Sequence, residues 1–143
     1  MARRCIKMSI TYRVDHDARV VVAVAQGILT EADLIEYQRE VWSRPDIAGY
    51  SELGDLSRVT KIEMDSHQIQ NLARAAASMD EKTSNSRLAI VVTADLLFGL
   101  SRMFQAYREL NRQSTKDVGV FRTIEEALAF LGIDHVLPMP HLP

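Results

Sequence analysis

Residues 87–110, RLAIVVTADLLFGLSRMFQAYREL, decide the fold. The first part, Leu88-Ala-Ile-Val-Val92, is a short apolar run rich in β-branched residues, which suits a strand buried on both faces of a parallel sheet. From Thr93 the period changes. Apolar residues recur at Leu96, Leu100, Met103, Tyr107 and Leu110, steps of three and four that predict one buried face of a helix. Thr93 is the expected N-cap, and Asp95 in the first turn complements the helix dipole. A strand passing into a helix with almost no loop is the repeating unit of an α/β fold.

Working towards the N-terminus, Lys82-Thr-Ser-Asn-Ser86 reads as a loop, and Ile69, Leu72, Ala73, Ala76 and Met79 form one helical face. Asp65 followed by Gln68 predicts a capping box for that helix. Ser51–Leu56 reads as a short strand, with a polar loop over 57–64. Thr30-Glu-Ala-Asp33 resembles a capping box and opens a helix that stops before Pro45. Upstream, residues 8–14 alternate apolar and polar, as an edge strand does, and Arg19–Ala25 is continuously apolar, so the pair predicts an antiparallel hairpin ended by Gln26-Gly27. Beyond the central unit, residues 117–122 predict a last strand, and Thr123-Ile-Glu-Glu126 opens a final helix that Gly132 ends. The order is ββαβαβαβα: an N-terminal hairpin, then parallel βα units in a mixed sheet of about five strands. We expect a single domain over 8–132, an N-terminal extension over 1–7 and a Pro-rich tail over 133–143.

Composition narrows the function classes. A hydrophobic content of 47% and a charged content of 25% are globular averages. A formal net charge of -2 gives no electrostatic reason to expect nucleic acid. No apolar run reaches membrane-span length, and the start lacks the apolar core of a signal peptide. The single cysteine, Cys5, rules out an intrachain disulfide. A cytoplasmic protein is the expectation.

Catalytic and cofactor motifs are absent. His16, His67, His135 and His141 stand in a turn, at a helix start and in the tail, without metal-ligand spacing. The glycines form no phosphate-binding loop, and there is no nucleophile elbow. We therefore expect no enzyme, no metal and no cofactor. In open α/β sheets ligands gather beyond the carboxyl ends of the strands. That rim would hold Asp55 and Ser57, which no helix cap needs.

Asp55-Leu-Ser-Arg-Val-Thr60, then Ile62, then Asp65-Ser66 before an amphipathic helix resemble the D-L-S-x-V-x-x-I-D-S-S-G-L signature of STAS domains, the anti-sigma-factor antagonist (SpoIIAA-like) superfamily. Leu97-Phe-Gly-Leu-Ser-Arg-Met-Phe104 is similar to the uncharacterised bacterial SpoIIAA-like branch, which shares its fold with STAS domains and the lipid-binding lobe of CRAL-TRIO proteins. The resemblance covers about residues 8–132 and implies a STAS-like fold and a non-enzymatic regulatory or protein-interaction module. The antagonists are phosphorylated on the second serine of their motif. Here His67 stands at that position, so Ser66 is the displaced candidate phosphoacceptor.

On the central helix, Phe98 and Arg102 lie off the expected apolar face, and Gly99 suggests a close backbone approach. The expected interaction surface is thus Asp55, Ser57, Ser66, His67, Phe98 and Arg102. Its partner would be another protein, a second copy included. The alternative is a lipid or apolar small molecule bound beside the Leu97–Phe104 helix.

Overall fold

In the computed structural model, residues 9–80, 85–134 and 138–140 are described. Cys5, His135, His141, the proposed 1–7 extension, most of the 82–86 loop and part of the tail lie outside them. The elements are β1 (Ile10–Asp15), β2 (Val20–Thr30), α1 (Glu31–Val41), β3 (Ser51–Glu63), α2 (Ser66–Ser78), β4 (Arg87–Val91), α3 (Asp95–Leu110), β5 (Asp117–Phe121) and α4 (Ile124–Leu131). A 3-10 turn at Pro45–Ile47 precedes β3. The expected order ββαβαβαβα is the observed one.

The sheet runs β1-β2-β3-β4-β5. β1 pairs antiparallel with β2, and every later neighbour is parallel. Period-2 alternation sends the two sets of side chains to opposite faces. Val20, Val22, Leu53, Ala89 and Val91 pack against Ala127 and Leu128 of α4. Leu88, Ile90, Val92 and Val118 face Leu97 of α3, with Leu34 of α1 against the same cluster. Helices α1, α2 and α3 thus share one face and α4 covers the other. Met139 of the tail also packs on the α4 side.

Two strands run further than the sequence predicts. β2 continues through Gly27 to Thr30, and β3 replaces the expected 57–64 loop as far as Glu63. Gly27 has a φ of 74°, a left-handed conformation that glycine adopts without strain. Register shifts between Val24 and Gln26 and between Gly27 and Ile28 break the alternation while pairing goes on. β3 pairs with β4 only over Glu52–Asp55, so its second half forms a two-stranded extension with β2.

The helix starts follow the capping chemistry closely. Thr30 Oγ1 accepts from the Asp33 N–H and Asp33 Oδ2 accepts from the Thr30 N–H, each at 3.2 Å. Asp65 and Gln68 make the same reciprocal pair at 2.8 and 3.0 Å. Thr123 accepts from the Glu126 N–H, and Gly132 ends α4 in the left-handed conformation.

α3 departs from expectation in three respects. Its N-cap is Ala94, without a side-chain cap, not Thr93. Instead Arg122 holds this end, donating to the Thr93 carbonyl at 2.9 Å and pairing with Asp95 at 2.8 Å. The buried face is Leu97, Ser101 and Arg108, whereas Leu96 and Leu110 are 74% and 81% exposed. The apolar arc is broad enough to be read in two phases, and the arginine and serine disguised the buried one. Third, a Cβ on Gly99 would meet nothing within 4 Å, so no close backbone approach explains it. Gly99→Ala should therefore stabilise the protein by up to about 1 kcal/mol, read as a higher urea midpoint at unchanged slope.

Candidate functional site

Between the sheet and helices α1–α3 is a pocket of about 110 Å³. Its walls come from every layer on that face. Leu29, Leu88 and Ile90 form the sheet side, with Gly54 leaving space where a side chain would stand. Leu34 and Tyr37 of α1, Ile69 and Leu72 of α2, and Leu100 and Phe104 of α3 close it from the helices. Leu56, Ile62 and Met64 reach it from the long half of β3 and the residue after it. The extension of β3 beyond the predicted boundary therefore supplies one wall.

Four polar side chains interrupt this apolar lining: Gln38, Glu52, Ser101 and the Tyr37 hydroxyl. Tyr37 donates to Glu52 Oε2 at 2.6 Å. Burial, followed by the charge and hydrogen bond of Glu52, raises the Tyr37 pKa well above 10.0. Trp42 Nε1 is buried without a hydrogen bond of ordinary geometry, although its N–H opposes that rise. Ser101 is only 5% exposed and makes no side-chain hydrogen bond among the described residues.

Behind this polar end lies a charged cluster, with Gln38 and Glu52 lining both spaces. Lys116 Nζ sits 3.4 Å from the centre of the Trp42 ring. Arg108 donates to Asp80 Oδ2 at 2.6 Å, both side chains almost fully buried. The same oxygen accepts from the backbone N–H of Thr115 at 2.8 Å and of Lys116 at 3.2 Å. Asp80 thereby ties the end of α2 to the end of α3 and the entry to β5.

Burial pushes the Lys116 ammonium down from 10.5 to about 8, against the pull of Glu52 and Asp80, with Arg108 adding to the fall. Because the folded state binds this proton less tightly than the unfolded chain, Lys116 contributes stability that is full above pH 10.5 and lost as pH falls through about 8. The whole difference corresponds to roughly 3 kcal/mol at most. Tyr37 acts in the opposite sense, its contribution full below pH 10.0 and lost above it. Urea unfolding from pH 7.5 to 9.5 should show stability rising, and Lys116→Met should remove most of that slope.

The residues expected at the functional surface are placed as follows. Asp55 is half-buried and accepts from the Ser57 N–H at 2.9 Å, a local bond just beyond the last β3–β4 pair. Ser57 is exposed. Ser66 and His67 are exposed in the first turn of α2. Arg102 is exposed, while Phe98 is half-buried against the α3 core with the Arg122 guanidinium 4.2 Å from its ring centre. Of these, none lines the apolar pocket. The sequence reading missed Glu52, Ser101, Asp80, Arg108 and Lys116. The one signal for Glu52 was a carboxylate beside Leu53 within a segment read as a short strand. Among the described residues no three His, Cys, Asp or Glu side chains gather to hold a metal ion, and no helix is long and apolar enough to cross a membrane.

Neither a protein-family model nor a curated protein matches the chain. Among solved structures it is similar to an uncharacterised protein from the DUF3478 family with a SpoIIAA-like fold, from Shewanella loihica PV-4, with a TM-score of 0.55 and 18% sequence identity over 92% of this chain and 98% of that one. At that identity the likeness concerns architecture. The hairpin, the parallel βα units and the division of helices between the two faces make this chain SpoIIAA-like in fold, in agreement with the element order and the Asp55–Ser66 motif.

Proposed function

We propose that the chain is a non-catalytic binding module of STAS-like fold whose ligand is a small apolar molecule held among α1, α2 and α3. The observation that carries this reading is the pocket of about 110 Å³ with predominantly apolar walls. Pockets for drug-sized ligands run to several hundred Å³, so a long lipid chain does not fit inside. An apolar cavity of about 150 Å³ admits benzene, so this smaller but half-open space holds at most a single ring, with part of the guest standing in its mouth. Thermal unfolding of the full chain with increasing toluene tests it. The melting temperature should climb with concentration, as binding to the folded state alone requires. Ser101→Leu, which places methylenes in the pocket, should abolish the climb. A melting temperature indifferent to toluene would contradict the reading.

A second reading, a regulatory or interaction module with a protein partner or a second copy, is favoured by the exposure of Ser57, Ser66, His67 and Arg102. After the Asp65 cap the first turn of α2 carries no acidic residue, so a phosphate on Ser66 would meet the positive end of the helix. In this reading Asp55, Phe98 and Arg102 contribute to the partner surface. Mass spectrometry of protein purified from its own cells should find phosphate on Ser66 or Ser57, and unmodified serines in every growth state would count against the switch.

A further inference from the structure

We infer that the pocket selects a neutral molecule with an apolar body and one hydroxyl group, of the phenol class, and rejects carboxylates; this rests on the small-ligand reading above. The first observation is Ser101. Its side chain is on the pocket wall, its residue 5% exposed, and it has no hydrogen-bond partner among the described residues. The hydroxyl faces the half-open pocket and is not sealed from solvent, so a guest that displaces water from it must restore the lost bond or bind less tightly. A guest hydroxyl supplies one, since each hydroxyl can both donate and accept.

The second observation is Glu52. It accepts the Tyr37 hydroxyl at 2.6 Å and, among the described residues, is the one charged side chain on the wall. A carboxylate has acceptor capacity beyond a single bond, so it favours a guest that donates. An anionic guest would place a second negative charge beside Glu52 in a half-open, mostly apolar space, where like charges repel. A cationic guest is disfavoured for a different reason. Lys116 already lies in the adjoining space that Glu52 and Gln38 share, and its charge is coupled to Glu52. The remaining fit is a neutral donor, and the apolar walls supply its ring or short chain with contacts.

Calorimetric titration of the full chain with phenol, toluene, benzoate and benzylamine tests the inference. Phenol should bind at least tenfold more tightly than toluene, with no detectable benzoate or benzylamine binding. Ser101→Ala should bring phenol down to the affinity that the variant shows for toluene, with a cooperative urea transition showing that the variant is folded. Equal affinity for phenol and toluene in the unsubstituted chain, or a phenol preference that survives Ser101→Ala, would overturn the selectivity while leaving the apolar pocket standing. Benzoate or benzylamine binding as tightly as phenol would overturn it as well. If none of the four binds, the underlying small-ligand reading fails with it.

Discussion

Asp80→Ala is expected to destabilise the protein by about 3–5 kcal/mol, the usual cost of removing one partner from a buried ion pair. The reason lies in the geometry of a single oxygen. Asp80 Oδ2 accepts from Arg108 at 2.6 Å, from Thr115 N–H at 2.8 Å and from Lys116 N–H at 3.2 Å. Ser114 Oγ stands 3.4 Å away and also accepts from Arg108 Nε at 3.0 Å. Alanine would leave a nearly fully buried guanidinium beside uncompensated backbone donors and the Lys116 ammonium. Arg108→Met should cost less, because Asp80 keeps its backbone donors. In the double variant the stranded guanidinium is gone, so the two effects should fall short of additivity by more than about 1 kcal/mol. Urea unfolding of the four proteins measures this directly. Simple additivity would mean that the two side chains act independently.

Leu29→Ala is expected to cost about 2–5 kcal/mol. Leu29 is fully buried, belongs to the core under α3 and also forms part of the pocket wall. Truncation therefore enlarges a space that is already there, with little surrounding structure free to collapse into it. The consequence is particular to this site. Toluene should restore more stability to Leu29→Ala than it adds to the unsubstituted chain, because the larger cavity gives the ring more contacts. A comparable loss with no toluene effect would place the cavity elsewhere.

The local parts of this fold were legible in the sequence. The reciprocal caps at Thr30/Asp33 and Asp65/Gln68, the hairpin and the αL glycine at 132 are each set by residues a few positions apart. Boundaries failed where local chemistry misled. Ser57-Arg58 and Thr60-Lys61 look like loop residues, yet β3 carries them because β2 bulges at Gly27 to keep pairing. The phase of α3 failed because its buried face includes an arginine, and only the distant Asp80 makes Arg108 a buried residue.

The site was less legible still. Asp80, Arg108 and Lys116 come from the end of α2, the end of α3 and the turn before β5, with no sequence spacing to mark them. A cavity is a place without atoms, and no single position encodes it. Gly54 and Ser101, small residues among large neighbours, are its only trace. The helix named for an apolar ligand, Leu97–Phe104, lines the pocket with Leu100, Ser101 and Phe104, and Asp55, Ser57, Ser66, His67, Phe98 and Arg102 sit outside it.

The central claim is that the space among α1, α2 and α3 is an apolar binding site, and a crystal of the full chain pressurised with xenon tests it most directly. Xenon is apolar and binds in apolar cavities. The account predicts one strong xenon peak bounded by Leu34, Leu72, Leu100 and Phe104. A space closed by side chains, or filled by ordered water that xenon does not displace, would contradict it.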